Sequence, residues 1–213
     1  MNKTVIRNNK VSVPKGRRGR PRGRSPNQTR RLLMEAAEAH FDTRSYADVS
    51  LSQIAHSAGL SGPAIYNHFS SKDELFLAAV TERMKRYNAA AEKAIAHNGT
   101  WKERYNRLLD AIAPLQGSGG GFQSIASAVV GRLKENPKQF AEIRALREIA
   151  ANHFRELIEQ GIEEGDFPQD ADVRILGELL MAATTGAINT VTFYNPGSDA
   201  LSTEMLKVLL RTQ

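Results

Sequence analysis

From residue 25 onward, apolar side chains return every three or four positions, and no alternating pattern of useful length interrupts them, so an all-α fold is predicted. The first helix begins at Ser25-Pro26, a capping side chain followed by proline at the first helical position. It gathers Leu33, Ala36, Ala37, His40 and Phe41 on one face and should end near Thr43, with His40 expected as a packed core histidine and Tyr46 and Val49 tethering the loop. Two short helices follow. Ser50 and Gln53 have capping-box spacing, Ile54 and Ala55 face inward, and Gly59 supplies the left-handed residue that stops the helix. Ser61 is the expected cap of the second short helix, and Pro63 lies early enough in it to cost no hydrogen bond. Ile65 and Phe69, four apart, pack toward Ile54 and Leu60 and leave Ser61, Gly62, Ala64, Tyr66, Asn67 and His68 outside. That outer face is small and hydrogen-bonding, without a bulky aliphatic side chain.

Longer helical patterns occupy 71–96, 101–115, 122–133, 139–163 and 172–194, and Leu201, Met205, Val208 and Leu209 mark a last one. Gln116-Gly117-Ser118-Gly119-Gly120-Gly121 lacks both the trailing Gly-Lys-Ser/Thr and the preceding strand of a phosphate loop, so it reads as a linker. From Leu179 to Tyr194 there is no charged residue, yet the stretch is too short and too rich in Thr and Asn for a membrane span. Such a helix needs protein on most sides. In a chain this small that implies a second copy, with the small residues Gly177, Ala182, Ala183, Gly186 and Ala187 permitting close approach.

Charge changes the picture once it is divided. The formal net charge is +6, but residues 1–24 hold nine Lys/Arg and no acid, leaving 20 basic against 23 acidic side chains elsewhere. Within 25–75 only Arg30, Arg31, Arg44 and Lys72 are basic, against six acids, so attraction to phosphate must come largely from the N-terminal arm. The arm has little with which to form a core and should be disordered when free. There is no cysteine, hence no disulfide framework or thiolate zinc site, and no hydrophobic N-terminal run, so the cytoplasm is the expected compartment.

A short helix with one anchored face and one face free of aliphatics fits the second helix of a helix-turn-helix, although such pairs also occur in ordinary helical cores. The residues are more specific. Ser50-Leu51-Ser52-Gln53-Ile54-Ala55, Ala58-Gly59-Leu60-Ser61, Pro63-Ala64-Ile65-Tyr66-Asn67-His68-Phe69 and Lys72-Asp73-Glu74-Leu75 together resemble the N-terminal signature of the tetracycline-repressor (TetR-type) family, over about 27–80. The chain departs from that pattern at Ser45, where glycine is usual, and at Val49, where threonine is common. The resemblance implies that Ser61, Gly62, Ala64 and Asn67 lie against base edges, with Asn67 able to bind adenine through two hydrogen bonds. It assigns Tyr66, His68 and Lys72 to phosphates, together with Ser50 and Ser52 at the start of the preceding helix. The arm segment around Arg17, Arg18, Arg20, Pro21, Arg22 and Arg24 resembles an AT-hook, whose small residues and arginines suit a narrow minor groove. A solvated basic tail that only adds charge is the competing interpretation.

The patterns and the resemblance together imply three parts: a basic arm (1–24), a three-helix DNA-binding domain (25–75) and a helical effector-binding and dimerisation domain (76–213). By the resemblance, the expected function is a homodimeric, ligand-responsive transcriptional regulator, more often a repressor, on palindromic double-stranded operator DNA. Its dimer forms through 172–194 and the last helix, and its small-molecule effector is unidentified. Trp101, Tyr105, Phe122, Met181, Thr185, Asn189 and Phe193 are the candidate pocket residues, each also readable as plain core. An architectural DNA-binding protein without a ligand is the alternative. The five histidines are scattered, and neither an HExxH nor a nucleophile-elbow pattern occurs, so neither an enzyme nor a metal or other cofactor is expected.

Overall fold

The computed structural model describes residues 25–115 and 137–194, with side chains omitted at 139, 140 and 189–194. Every regular element among the described residues is helical: α1 (Pro26–Thr43), α2 (Leu51–Ser57), a 3-10 turn (Gly62–Asn67), α3 (Lys72–Ile95), α4 (Trp101–Ile112) with a further 3-10 turn (Ala113–Leu115), α5 (Pro137–Glu163) and α6 (Val173–Tyr194). The fold is all-α, an N-terminal helix-turn-helix unit followed by a helical C-terminal domain. Among the described residues, no helix is long and apolar enough to cross a membrane.

Caps set the boundaries. Ser25, Ser50 and Thr100 each form a full capping box, with Gln28, Gln53 and Glu103 respectively, while Ser71 caps α3 by accepting from the Glu74 amide. Helix α2 stops where Gly59 takes φ 73°. The Leu60 amide then donates to Ala55 O and the Gly59 amide to His56 O, which satisfies two carbonyls the helix would otherwise leave bare.

Two apolar clusters form the core. The first joins Leu33, Ala37, Phe41, Val49, Ile54, Ile65, Phe69, Leu75 and Phe76, and extends to Val80 on α3 and to Ile143 on α5. Phe76 meets Phe41 edge-on at 5.0 Å, and Tyr46 stacks on Phe41 at 5.4 Å, which fixes the loop after α1 as expected. The second cluster joins Ala91, Ile95, Trp101, Tyr105, Leu108, Leu109, Ile112, Phe154, Leu157 and Ile188. Helix α3 runs through both. His40, expected in the core, is instead partly exposed and hydrogen-bonded to Ser57 Oγ at 2.8 Å.

Helix α6 packs on α5 through Gly177, whose missing side chain lets Arg155 Cγ come within 2.7 Å of where a Cβ would stand. Its other side is left open by the described residues. Leu179 is 60% and Ile175 49% exposed, Ala182, Ala183 and Gly186 are exposed beside them, and Ile149 of α5 is 45% exposed.

Candidate nucleic-acid interface

The outward surface is built on two fully buried anchors. Ile65 and Phe69 sit in the first cluster at 0% and 1% exposure and hold the intervening backbone against α1 and α2. Gly62–Asn67 winds as a 3-10 turn rather than the expected α-helix, and the Ser61 side chain makes no capping hydrogen bond. The chain is closed instead by backbone: the Ala64 amide donates to Ser61 O, and the His68 and Phe69 amides both donate to Ile65 O.

Ser61, Tyr66 and Asn67 are exposed, Tyr66 at 62%, whereas Gly62, Ala64 and His68 are half-buried. Ser50 and Ser52 stand exposed at the start of α2. A Cβ at Gly62 would come 2.9 Å from Ser52 Oγ, so the turn and α2 share one continuous surface.

Two cations brace the turn from beneath. Arg30 of α1 donates from Nη1 to His68 O at 2.7 Å, and its guanidinium lies 4.0 Å from the Phe69 ring centre. Sequence reasoning counted Arg30 only as charge, because its partner is 38 residues away and no local pattern marks it. Lys72 donates from Nζ to Tyr46 O at 2.7 Å and Val49 O at 2.9 Å, with the ammonium 4.3 Å from the Tyr46 ring centre. Only its remaining proton is uncommitted to these carbonyls. Next to the turn, Ser70 donates both its amide and its hydroxyl to Glu74; the Ser70 hydroxyl bond is the main reason that carboxyl is held below its usual range.

The arm residues Arg17, Arg18, Arg20, Arg22 and Arg24 lie outside the described residues, as does Phe122, and so do the side chains of Asn189 and Phe193. The remaining pocket candidates gather around the second cluster. Trp101 is 3% exposed; its indole Nε1 donates to Asp166 at 2.6 Å and its ring packs on Phe167 at 4.9 Å. Tyr105, 1% exposed, shares a 2.7 Å hydrogen bond with the Thr184 hydroxyl, and burial pushes its phenol up to about 12. Met181 packs half-buried against the cluster and Thr185 is half-buried on the same helix.

An exposed polar turn seated on buried anchors beside a second short helix is helix-turn-helix geometry. Residues 33–79 match the family model for bacterial regulatory proteins of the tetR family. That stretch of the chain is similar to the DNA-binding region of the tetR family of bacterial regulatory proteins. The HTH-type transcriptional repressor KstR2 of Mycobacterium tuberculosis is 26% identical, over 80% of this chain and 84% of that one. The TetR-family regulator PfmR of Thermus thermophilus superposes with a TM-score of 0.66 at 25% identity, over 85% of this chain and 97% of that one. FadR of Bacillus subtilis, solved in complex with stearoyl-CoA, shares the fold with a TM-score of 0.63 at 21% identity, over 86% and 98%. TetR-family likeness therefore extends beyond the helix-turn-helix into the helical C-terminal domain.

Proposed function

We propose that this chain is a TetR-family, ligand-responsive repressor that binds a palindromic operator as a homodimer. The observation that carries the proposal is the exposed, aliphatic-free surface of the 62–67 turn, fixed below by Ile65, Phe69 and Arg30. Each subunit sets this turn in the major groove, with half-sites about one helical turn apart. Ser61, Gly62, Ala64 and Asn67 meet base edges, and Asn67 is the side chain suited to adenine. Ser50, Ser52, Tyr66, His68 and the spare proton of Lys72 meet phosphates. Because Gly62 and Ala64 lack hydrogen-bonding side chains, shape and the arm supply much of the specificity, the arginines at 17, 18, 20, 22 and 24 entering the adjacent minor groove.

The open apolar side of α6, with Ile175 and Leu179 at its centre, supports a two-fold contact between copies. Effector binding in the helical body, beside Met181, Thr185, Tyr105 and Trp101 and with Phe122, Asn189 and Phe193 as further wall, shifts the separation of the two reading turns. A coupling of roughly 1–3 kcal/mol suffices. That FadR, a protein of the same fold, is found with stearoyl-CoA supports a body that accepts an organic ligand.

Selection of bound duplexes from a random pool, together with light scattering of the complex, tests this reading. Palindromic sites, two chains per duplex and a footprint shortened by deletion of 1–24 are expected. A monomer indifferent to every duplex at low ionic strength overturns the function, and an effector that binds without changing duplex affinity removes the switch.

A further inference from the structure

We propose that Arg83 is the positioning residue that ties the orientation of the DNA-reading unit to the C-terminal end of α4. This rests on the reading of the 62–67 turn as the DNA contact. Arg83 lies on α3 and is 8% exposed, in a place where an unpaired cation would be costly. Its Nη1 donates to Asp42 Oδ1 at 2.9 Å, in the last turn of α1, and its Nε donates to the Leu115 carbonyl at 2.8 Å, at the end of the turn that follows α4. The Asp42 side chain is itself only 15% exposed, so little water screens the pair.

Two neighbouring ion pairs do less. Arg86 joins α3 to Glu38 of α1 at 2.6 Å, and Lys85 joins α3 to Glu142 of α5 at 2.8 Å with both partners about half exposed. Each links two elements. The Arg83 guanidinium links three, and because it is planar and rigid its two donors keep a fixed relation to one another. A displacement of the Leu115 carbonyl therefore either breaks a partly buried hydrogen bond or turns the fork, and turning the fork moves Asp42 and with it α1. Arg30 and Ile65 carry that movement to the reading turn, since Arg30 on α1 holds His68 O and Ile65 is packed in the same cluster as α1.

Coupling of this kind is reciprocal: immobilising α1 on DNA must quiet the α4 end. The test is amide hydrogen exchange at Ile112, Ala113 and Leu115 of the full chain, free and bound to a duplex recovered by selection. In the unaltered protein the duplex is expected to slow these amides roughly ten-fold, within the usual range of coupling between sites. In R83K, which keeps the charge but loses the fork, and in D42N, which keeps the shape but loses the ion pair, the duplex is still bound and the slowing falls below about two-fold. A residue that only stabilised the fold would alter exchange equally with and without DNA. Bound duplex without slowing at 112–115, or full slowing retained in both variants, overturns the assignment. Failure of the DNA-reading proposal looks different: the unaltered protein then retains no duplex at all, and both proposals fall.

Discussion

The reading unit and the helical body solve opposite problems with the same kind of element. In residues 25–80 the starts of α1, α2 and α3 are fixed by local side-chain caps, and the turn between α2 and α3, closed by backbone alone, carries no bulky aliphatic side chain on its outer surface. From α4 onward the helices are stapled to one another by partners far apart in the chain, such as Tyr105 with Thr184 and Trp101 with Asp166, and one long apolar side is left open on α6. The reading unit must hold a few polar groups still. The body, by the proposed reading, accepts a second copy and a ligand, and among the described residues its surface leaves apolar side chains uncovered.

The largest effect should come from testing whether the two cores are separate. Phe76 in the first cluster and Phe154 in the second are both 0% exposed, and alanine at either should cost about 3–5 kcal/mol of stability. Hydrogen exchange should show F76A opening the reading unit and F154A opening the body; if either variant opens both together, the chain is one cooperative unit.

Next in size is the brace under the turn. R30M removes a charge-assisted hydrogen bond to His68 O and the contact with Phe69, and should lower duplex affinity by roughly 1.5–3 kcal/mol, about ten-fold or more, with helix content unchanged in circular dichroism. Fluorescence anisotropy with a labelled duplex measures it. N67A acts at the surface rather than beneath it. It should lose about 1–3 kcal/mol on the selected duplex and almost nothing on unrelated DNA, relaxing preference at one position of each half-site in repeated selection.

The smallest effect lies in the body. Y105F removes the hydrogen bond to Thr184 and should cost about 1 kcal/mol, read from urea unfolding at neutral pH. Burial raises the Tyr105 phenol from 10.0 to about 12, so its protonated form is favoured in the folded chain. Its contribution is intact below pH 10.0, where the unfolded phenol is still protonated, and is lost as pH climbs through about 12. Tyr87 is raised in the same direction by burial, so Y105F should blunt but not abolish the alkaline loss of stability.

Local chemistry explains why the reading unit was legible in the sequence. Ser50 with Gln53 and Ser25 with Gln28 act across three residues, and the Gly59 stop is decided by a single φ, so each could be read without knowing the fold. The same locality failed at Ser61. Its spacing fitted a cap, but the turn winds as a 3-10 helix closed by backbone hydrogen bonds alone. Lys72 was legible as a cation near the turn, yet its ammonium is directed at Tyr46 O and Val49 O, partners 26 and 23 residues away. Arg30 and Arg83 left no local trace, since what they do depends on where distant carbonyls come to rest. In the body, periodicity located α4, α5 and α6 but could not tell a pocket wall from packing, because Trp101 and Tyr105 are apolar at helical spacing in either case.

One side chain of the first cluster comes from far downstream. Ile143 of α5 completes the wall against which α3 packs within the reading unit. The N-terminal unit is thus not closed by its own helices alone, since α5 lies more than 60 residues downstream of the start of α3. A truncation that stops before α5 therefore leaves the apolar wall of the N-terminal cluster open at the place where Ile143 would close it.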